Sequence, residues 1–144
     1  MDKTNGMQVF ISHAHSDAGL ARQLSQQLET QGFQVFDPAV ELLPGDNWHL
    51  ETGKALEASN AMVVLISPEA ARSQSVQGEI QYALGSERFK GRLIPVEVEP
   101  TQDFPWILRR LRWIKIESDL AEAGQRLARI LQAIREPDLH AGAH

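Results

Sequence analysis

Ser75 and Glu79 stand four residues apart, a spacing that stacks two side chains on one side of a helix. Val76, Ile80 and Ala83 recur beside them at helical intervals. The carboxyl of Glu79 is therefore expected at the rim of a buried stripe, away from the fully solvated face. A carboxylate held half-dry beside a cleft is a candidate for chemistry, and it equally suits capping or solvation of its own helix, because structural groups perturb carboxylates too. Position alone leaves both readings open. His13 and His15 are a second titratable pair. Two imidazoles two residues apart, in a chain without cysteine, do not complete a metal site, so no metal is expected and the pair is read as lining the mouth of a pocket. Arg109, Arg110 and Arg112 form a small basic cluster, which fits a solvated rim or a contact for phosphate or an acidic neighbour. In Leu43-Pro44-Gly45-Asp46-Asn47-Trp48, proline fixes one φ, glycine permits a positive one, and Asp46 or Asn47 then caps a helix. A long loop shaped in this way is more often functional than idle. Trp48, at the start of that helix, is read either as a core anchor or as part of a pocket floor.

These residues need elements to hold them. Val9-Phe10-Ile11, Met62 to Ile66 and Leu93 to Val98 are near-continuous apolar runs, the mark of parallel strands covered on both faces. Gln34-Val35-Phe36 and Arg112 to Ile116 are shorter candidates, the second amphipathic enough for an edge. Between them lie helical patterns. The first is capped by Ser16 or Asp17, carries Leu20, Leu24 and Leu28, and stops near Gly32. The second starts at Asp46 or Asn47 with Trp48, Ala55 and Leu56, and the third carries Val76, Ile80, Ala83 and Leu84 before Gly85. Residues 103 to 108 contain Pro105 and predict a poorly regular crossover. A last helix over 120 to 135 aligns Leu120, Leu127, Ile130, Leu131 and Ile134.

Strands alternating with helices specify a doubly wound α/β sheet, here a flavodoxin-like three-layer sandwich with five parallel strands in the order 2-1-3-4-5 and helices on both faces. Residues 1–135 are read as one domain, with 136–144 a frayed tail. Ligands of such sheets settle outside the carboxyl ends of the strands where the order reverses, between the first and third. That singles out Ser12-His13-Ala14-His15 and Ser67-Pro68-Glu69, with the loop from Asp37 to Asn47 overhanging the same end.

Bulk properties narrow the function. The chain of 144 residues is long enough to bury a continuous core. A formal net charge of −5 argues against nonspecific nucleic-acid binding, which needs a clustered surplus of Lys and Arg. The absence of cysteine removes thiol chemistry and fits a reducing compartment. The longest apolar run is far short of a membrane span and the first residues lack signal-peptide character, so a cytoplasmic location away from membranes is expected.

Taken together, residues 9–17, residues 42–48 and Leu65-Ile66-Ser67-Pro68 resemble the first strand, the BB loop with its following helix, and the third strand of a bacterial TIR (Toll/interleukin-1 receptor) domain. The resemblance covers residues 8 to 117 and puts the final helix in its expected place. It implies cleavage of NAD⁺ at the nicotinamide-ribose bond to ADP-ribose or a cyclic isomer, in anti-phage defence or as an effector. By motif alignment the family's catalytic glutamate falls on Glu79. Ser12, His13, Phe36, Asp37, Trp48 and Ser75 are then expected to bind substrate, and Pro44, Gly45 and Asp46 to form the interaction loop. NAD⁺ would be substrate and not a cofactor, consistent with the lack of a Gly-rich dinucleotide fingerprint after the first strand. The family's Trp-x-x-x-Glu pattern departs here to Ser75-Val76-Gln77-Gly78-Glu79. That departure favours the second reading, a non-catalytic module that self-associates or docks onto another TIR domain. A phosphoacceptor receiver, which shares the strand order, needs acidic residues where this chain has Ser12-His13 and Ser67-Pro68.

Overall fold

The computed structural model of the protein describes residues 7–117 and 119–135; the expected frayed segment 136–144 lies outside them. Five strands, β1 (Gln8–Ser12), β2 (Gln34–Phe36), β3 (Ala61–Ile66), β4 (Leu93–Glu97) and β5 (Ile114–Lys115), form one parallel sheet in the order β2-β1-β3-β4-β5. Around it lie α1 (Ala18–Thr30), α2 (Pro38–Glu41), α3 (Trp48–Ala58), α4 (Pro68–Ala71), α5 (Gln74–Leu84) and α6 (Leu120–Arg135).

Side chains alternate across a strand, and the buried residues sort accordingly into two cores. Val9, Ile11, Val63, Leu65, Ile94 and Val96 meet Leu24 and Leu28 of α1 and Leu127 and Leu131 of α6 on one face. On the other, Phe10, Met62, Val64 and Ile66 meet Ala55 and Leu56 of α3, Ala70 of α4, and Val76, Ile80 and Ala83 of α5. Every residue of β3 is buried, which is why its sequence shows no alternation. The same period-two rule puts Ser12 on the Phe10 side of the sheet, facing α5.

Several local expectations are corrected. Residues 37 to 47 are not loop throughout, because Asp37 accepts a hydrogen bond from the Ala39 amide and Pro38 occupies the first turn of the short helix α2. The same cap-then-proline pairing opens α4, where Ser67 accepts from the Ala70 amide. Both signals stood in the sequence as Asp37-Pro38 and Ser67-Pro68. Leu84, expected on the buried stripe of α5, is 40% exposed, since a residue eight positions beyond Val76 has rotated off that stripe. Trp48 is not a core anchor, for it is 42% exposed. The crossover before β5 is a 3-10 turn over Trp106–Arg110. Asn47, one of the two expected caps, begins α3 by accepting from the Leu50 amide.

Candidate functional site

The carboxyl end of β1 delivers Ser12, whose hydroxyl donates to Glu79 Oε1 across 2.6 Å. Glu79 reaches it because Ser73 caps α5 through the Val76 amide, fixing where the helix begins, and because Val76, Ile80 and Ala83 press the helix onto the sheet. The contact closes a pair separated by 67 positions in the chain. Glu79 is 8% exposed, so it lies deeper than the core rim. Burial pushes its carboxyl up to about 7, against the downward pull of the Ser12 hydroxyl and the charge on His13, with Asp37 adding to the rise.

His13 is held between two acceptors, Nδ1 at 2.7 Å from the Ala14 carbonyl and Nε2 at 2.7 Å from Asp37 Oδ1. An imidazole that faces an acceptor at each nitrogen is best satisfied with both protons on. Burial alone would pull its pKa down, yet the hydrogen bonds to Asp37 and Ala14 and the charges of Asp37 and Asp17 carry it above the ordinary histidine value. Asp37 is therefore shared: it caps α2 through the Ala39 amide and holds the His13 cation. Behind them Ser67 donates to Asp17 Oδ2 at 2.7 Å, tying the end of β3 to the β1–α1 turn. No sequence pattern marked that pair.

The cleft consists of two cavities that share Trp48, Ser75 and Glu79. One, about 180 Å³, is closed by His13 and His15 after β1, Pro38 and Ala39 of α2, and Ser73. The other, about 230 Å³, runs between α3 and α5 and adds Thr52, Leu56 and Tyr82 to its walls. A larger hollow of about 330 Å³ lies beyond the amino end of β4, lined by Ala83, Phe89, Gly91 and Leu111 among others. It holds no buried ionisable group among the described residues, and the chemistry sits in the smaller pair.

Of the residues expected around the site, Glu79, His13, Trp48 and Ser75 line the cleft. Ser12 and Asp37 do not line it and act from behind, through Glu79 and His13. Phe36 does not line it either; its ring stacks on Phe10 at 5.7 Å and an interplanar angle of 15°, supporting the strand that ends at Ser12. Thr52 and Tyr82 were not anticipated, because nothing in their own neighbourhoods indicates that two helices leave a groove between them.

The segment expected to form the interaction loop is a turn with Pro44 and Gly45 at its corner. Gly45 has φ 95°, the Asp46 amide donates to the Leu43 carbonyl at 3.0 Å, and Asp46 Oδ2 accepts from the Leu43 amide at 2.7 Å. Proline followed by a residue with positive φ is the signature of a type II turn. The turn presents Leu43 at 67% exposure, with Val40 and Leu50 exposed on either side.

Comparison with known proteins agrees with this architecture. The TIR domain from the Toll-related receptor TRR-2 of Hydra magnipapillata superposes with a TM-score of 0.72 over 88% of this chain and 97% of its own, at 22% identity. A metazoan TIR-STING receptor from C. gigas, solved in complex with 2′,3′-cGAMP, gives a TM-score of 0.71 at 27% identity, over 88% of this chain and 38% of its own. Among curated proteins, the uncharacterized protein y4cD of Sinorhizobium fredii is 31% identical over 83 residues, and the match takes in 53% of this chain but only 12% of that relative. The family profile described as TIR domain matches residues 9–131. With that match spanning most of its length, and with the sheet order, the shaped turn and the buried glutamate in place, the chain belongs to the TIR domain family.

Proposed function

We propose that the domain is an NAD⁺ glycohydrolase or cyclase that breaks the nicotinamide-ribose bond with Glu79 as its catalytic carboxylate. The observation that supports this reading is the buried Glu79 carboxyl at the junction of the two cavities, held by Ser12. Glycoside hydrolysis ordinarily needs a second acid to protonate the leaving oxygen. Nicotinamide is different, because its ring nitrogen is already cationic in NAD⁺. When the bond breaks, the electron pair stays with that nitrogen and the base leaves neutral, with no proton required. Positive charge then develops on the ribose, and a preorganised anion stabilises it in a water-poor site. Ser12 fixes the carboxylate, and His13 sets the local charge. Water adds to the ribose carbon and loses its proton to give ADP-ribose, or a nucleophile within the product adds in its place to give a cyclic isomer.

A second reading, a module that works by association with itself or with another TIR domain, is favoured by Ser75 in place of an aromatic residue and by the exposed turn bearing Leu43. No helix among the described residues is long and apolar enough to cross a membrane. Incubating the concentrated protein with NAD⁺ and following nicotinamide and ADP-ribose tests the first reading. Absence of both products from protein shown to self-associate favours the second.

A further inference from the structure

Charge is unevenly distributed along the chain. Residues 7–87 carry ten Asp and Glu against three Lys and Arg, whereas residues 88–135 carry six against ten. The first stretch builds β2, β1 and β3 and the second builds β4 and β5, so the imbalance runs along the sheet order and leaves the β2 side acidic and the β5 side basic. On the basic side, the 3-10 turn that leads into the edge strand β5 is anchored by the buried Leu108, while Trp106 is 68% exposed. The Arg110 guanidinium lies 5.7 Å from the centre of the Trp106 ring. Arg109 is engaged within the domain, donating to the Thr101 carbonyl at 3.0 Å and lying over the Trp113 ring. Arg110 and Arg112 enter no ion pair among the described residues. Trp and Arg are the side chains that most often dominate binding at protein interfaces, and a cation stacked on an indole presents both as one unit.

On the acidic side, a groove of about 270 Å³ runs between α1 and α2 beside the edge strand β2. Val35 and Val40 give it an apolar wall, and Glu29 and Glu41 stand exposed along it. Asp37, also at the groove, is held by His13 and the Ala39 amide. Glu29 and Glu41, like the neighbouring Arg22, enter no ion pair among the described residues. One side of the domain thus offers an exposed indole with unpaired guanidiniums, and the other an apolar recess rimmed by unpaired carboxylates. We infer that these two surfaces dock on each other between copies of this chain, with Trp106 of one copy entering the groove of the next and Arg110 and Arg112 meeting Glu29 and Glu41. Opposite charge steers the two surfaces together and sets their register. Because β2 and β5 are the two ends of the sheet, each docked pair still has one free surface of each kind. Such a contact propagates head to tail and does not close as a dimer. It rests on the association reading of the domain and not on the glycohydrolase one, and it is separate from the Pro44-Gly45 turn.

Sedimentation of the full chain over a range of concentrations tests this. At about 50 mM salt the weight-average mass should climb past that of a dimer, and at about 500 mM, where exposed charges are screened, it should fall toward the monomer. A Trp106→Ala, Arg110→Glu double variant removes the basic surface, and a Glu29→Lys, Glu41→Lys double variant reverses the acidic one. All four residues are exposed, so both variants should keep the fold. Each alone should self-associate at least about tenfold more weakly than the parent. Mixed, the two should recover the parental affinity in a complex of one copy of each and grow no further, because each retains the surface that the other lacks. A mixture that associates no more tightly than its components overturns the pairing. A parent that stays monomeric up to about 1 mM overturns it too, and leaves the Trp106 surface to an acidic partner of another kind. Association that is lost in Gly45→Pro but unchanged in both double variants also overturns it, and the association reading then stands on the turn alone.

Discussion

The Ser12 hydroxyl donates to the Glu79 carboxylate across 2.6 Å in a buried setting, joining the last residue of β1 to the middle of α5. The bond does two things at once. It orients the carboxylate toward the cleft, and it offsets part of the cost of burying an ionisable group, without bringing that group back to its ordinary pKa.

Replacing Glu79 with Gln separates chemistry from folding. The amide can still accept from Ser12, so the fold should persist, whereas loss of the anion should lower NAD⁺ turnover by about a hundredfold or more. Stability should move the other way. The folded carboxyl holds its proton up to about 7, while the unfolded one releases it in the ordinary range. Stability of the parent therefore falls as pH rises between those limits. Above pH 7.5, Glu79→Gln should be more stable than the parent, by up to roughly 3 kcal/mol, and below pH 4 the two should match. Urea denaturation at both pH values reads this out, and a Gln variant less stable than the parent at the higher pH counts against a raised carboxyl.

Activity should follow the same titration. Only the carboxylate form can stabilise positive charge, so kcat/KM, which follows ionisation in the free protein, should rise with pH, reach half its maximum near 7, and level off above about 8. A rate profile that is flat from pH 5.5 to 8.5 would remove Glu79 ionisation from the rate-determining step.

Asp37→Asn isolates the His13 pair. Asparagine is as good a helix cap as aspartate, so α2 should remain while the charge-assisted bond to His13 is weakened. His13 titrates above its ordinary value in the folded protein. Its contribution is thus fully present below the unfolded histidine pKa and is lost as pH rises through the folded one. The variant should be destabilised by about 1–2 kcal/mol at pH 5.5 and by less at pH 9. A loss of equal size at both pH values argues that Asp37 serves only as a cap. Following the His13 ring by NMR in both proteins locates the titration directly.

The turn at Gly45 offers a test of assembly. Proline cannot adopt the φ of 95° seen there, so Gly45→Pro must rebuild the turn that displays Leu43. A disallowed backbone conformation costs about 1–3 kcal/mol if the turn resists, and the exposed loop can relax without disturbing either core. Self-association and NAD⁺ turnover should fall together while the far-UV spectrum is retained, as measured by analytical ultracentrifugation and product release. A folded Gly45→Pro protein with full assembly and full turnover would falsify a role for this turn.

The pattern of apolar runs alone determined the sheet. β3 is apolar throughout because it is buried on both faces, and that burial is imprinted in consecutive residues such as Met62, Val63 and Val64. The doubly wound class followed from alternation with helices, whereas the order β2-β1-β3-β4-β5 is fixed by the strand pairings themselves, and the Pro44-Gly45 turn followed from φ preferences that belong to single residues. Helical spacing also put Glu79 at the rim of the packed stripe, and the structure holds it deeper, at 8% exposure. What the sequence left open was decided by contacts between distant segments. Ser12 meets Glu79 because period two along β1 turns it toward α5, and His13 meets Asp37 because β1 and β2 are neighbours with Phe10 opposite Phe36, so the residues after the two strands lie side by side. The stretch after β2 became helix because Asp37 caps its own next turn while also binding His13. Trp48 was ambiguous between core and cleft because a large apolar residue at a helix start serves either, and only its place in the packed structure, lining both cavities and 42% exposed, decided between them. Thr52 carried no signal at all. It lines the groove between α3 and α5 only because those two helices pack side by side, and a groove between distant segments is a property of the packing and not of any one residue.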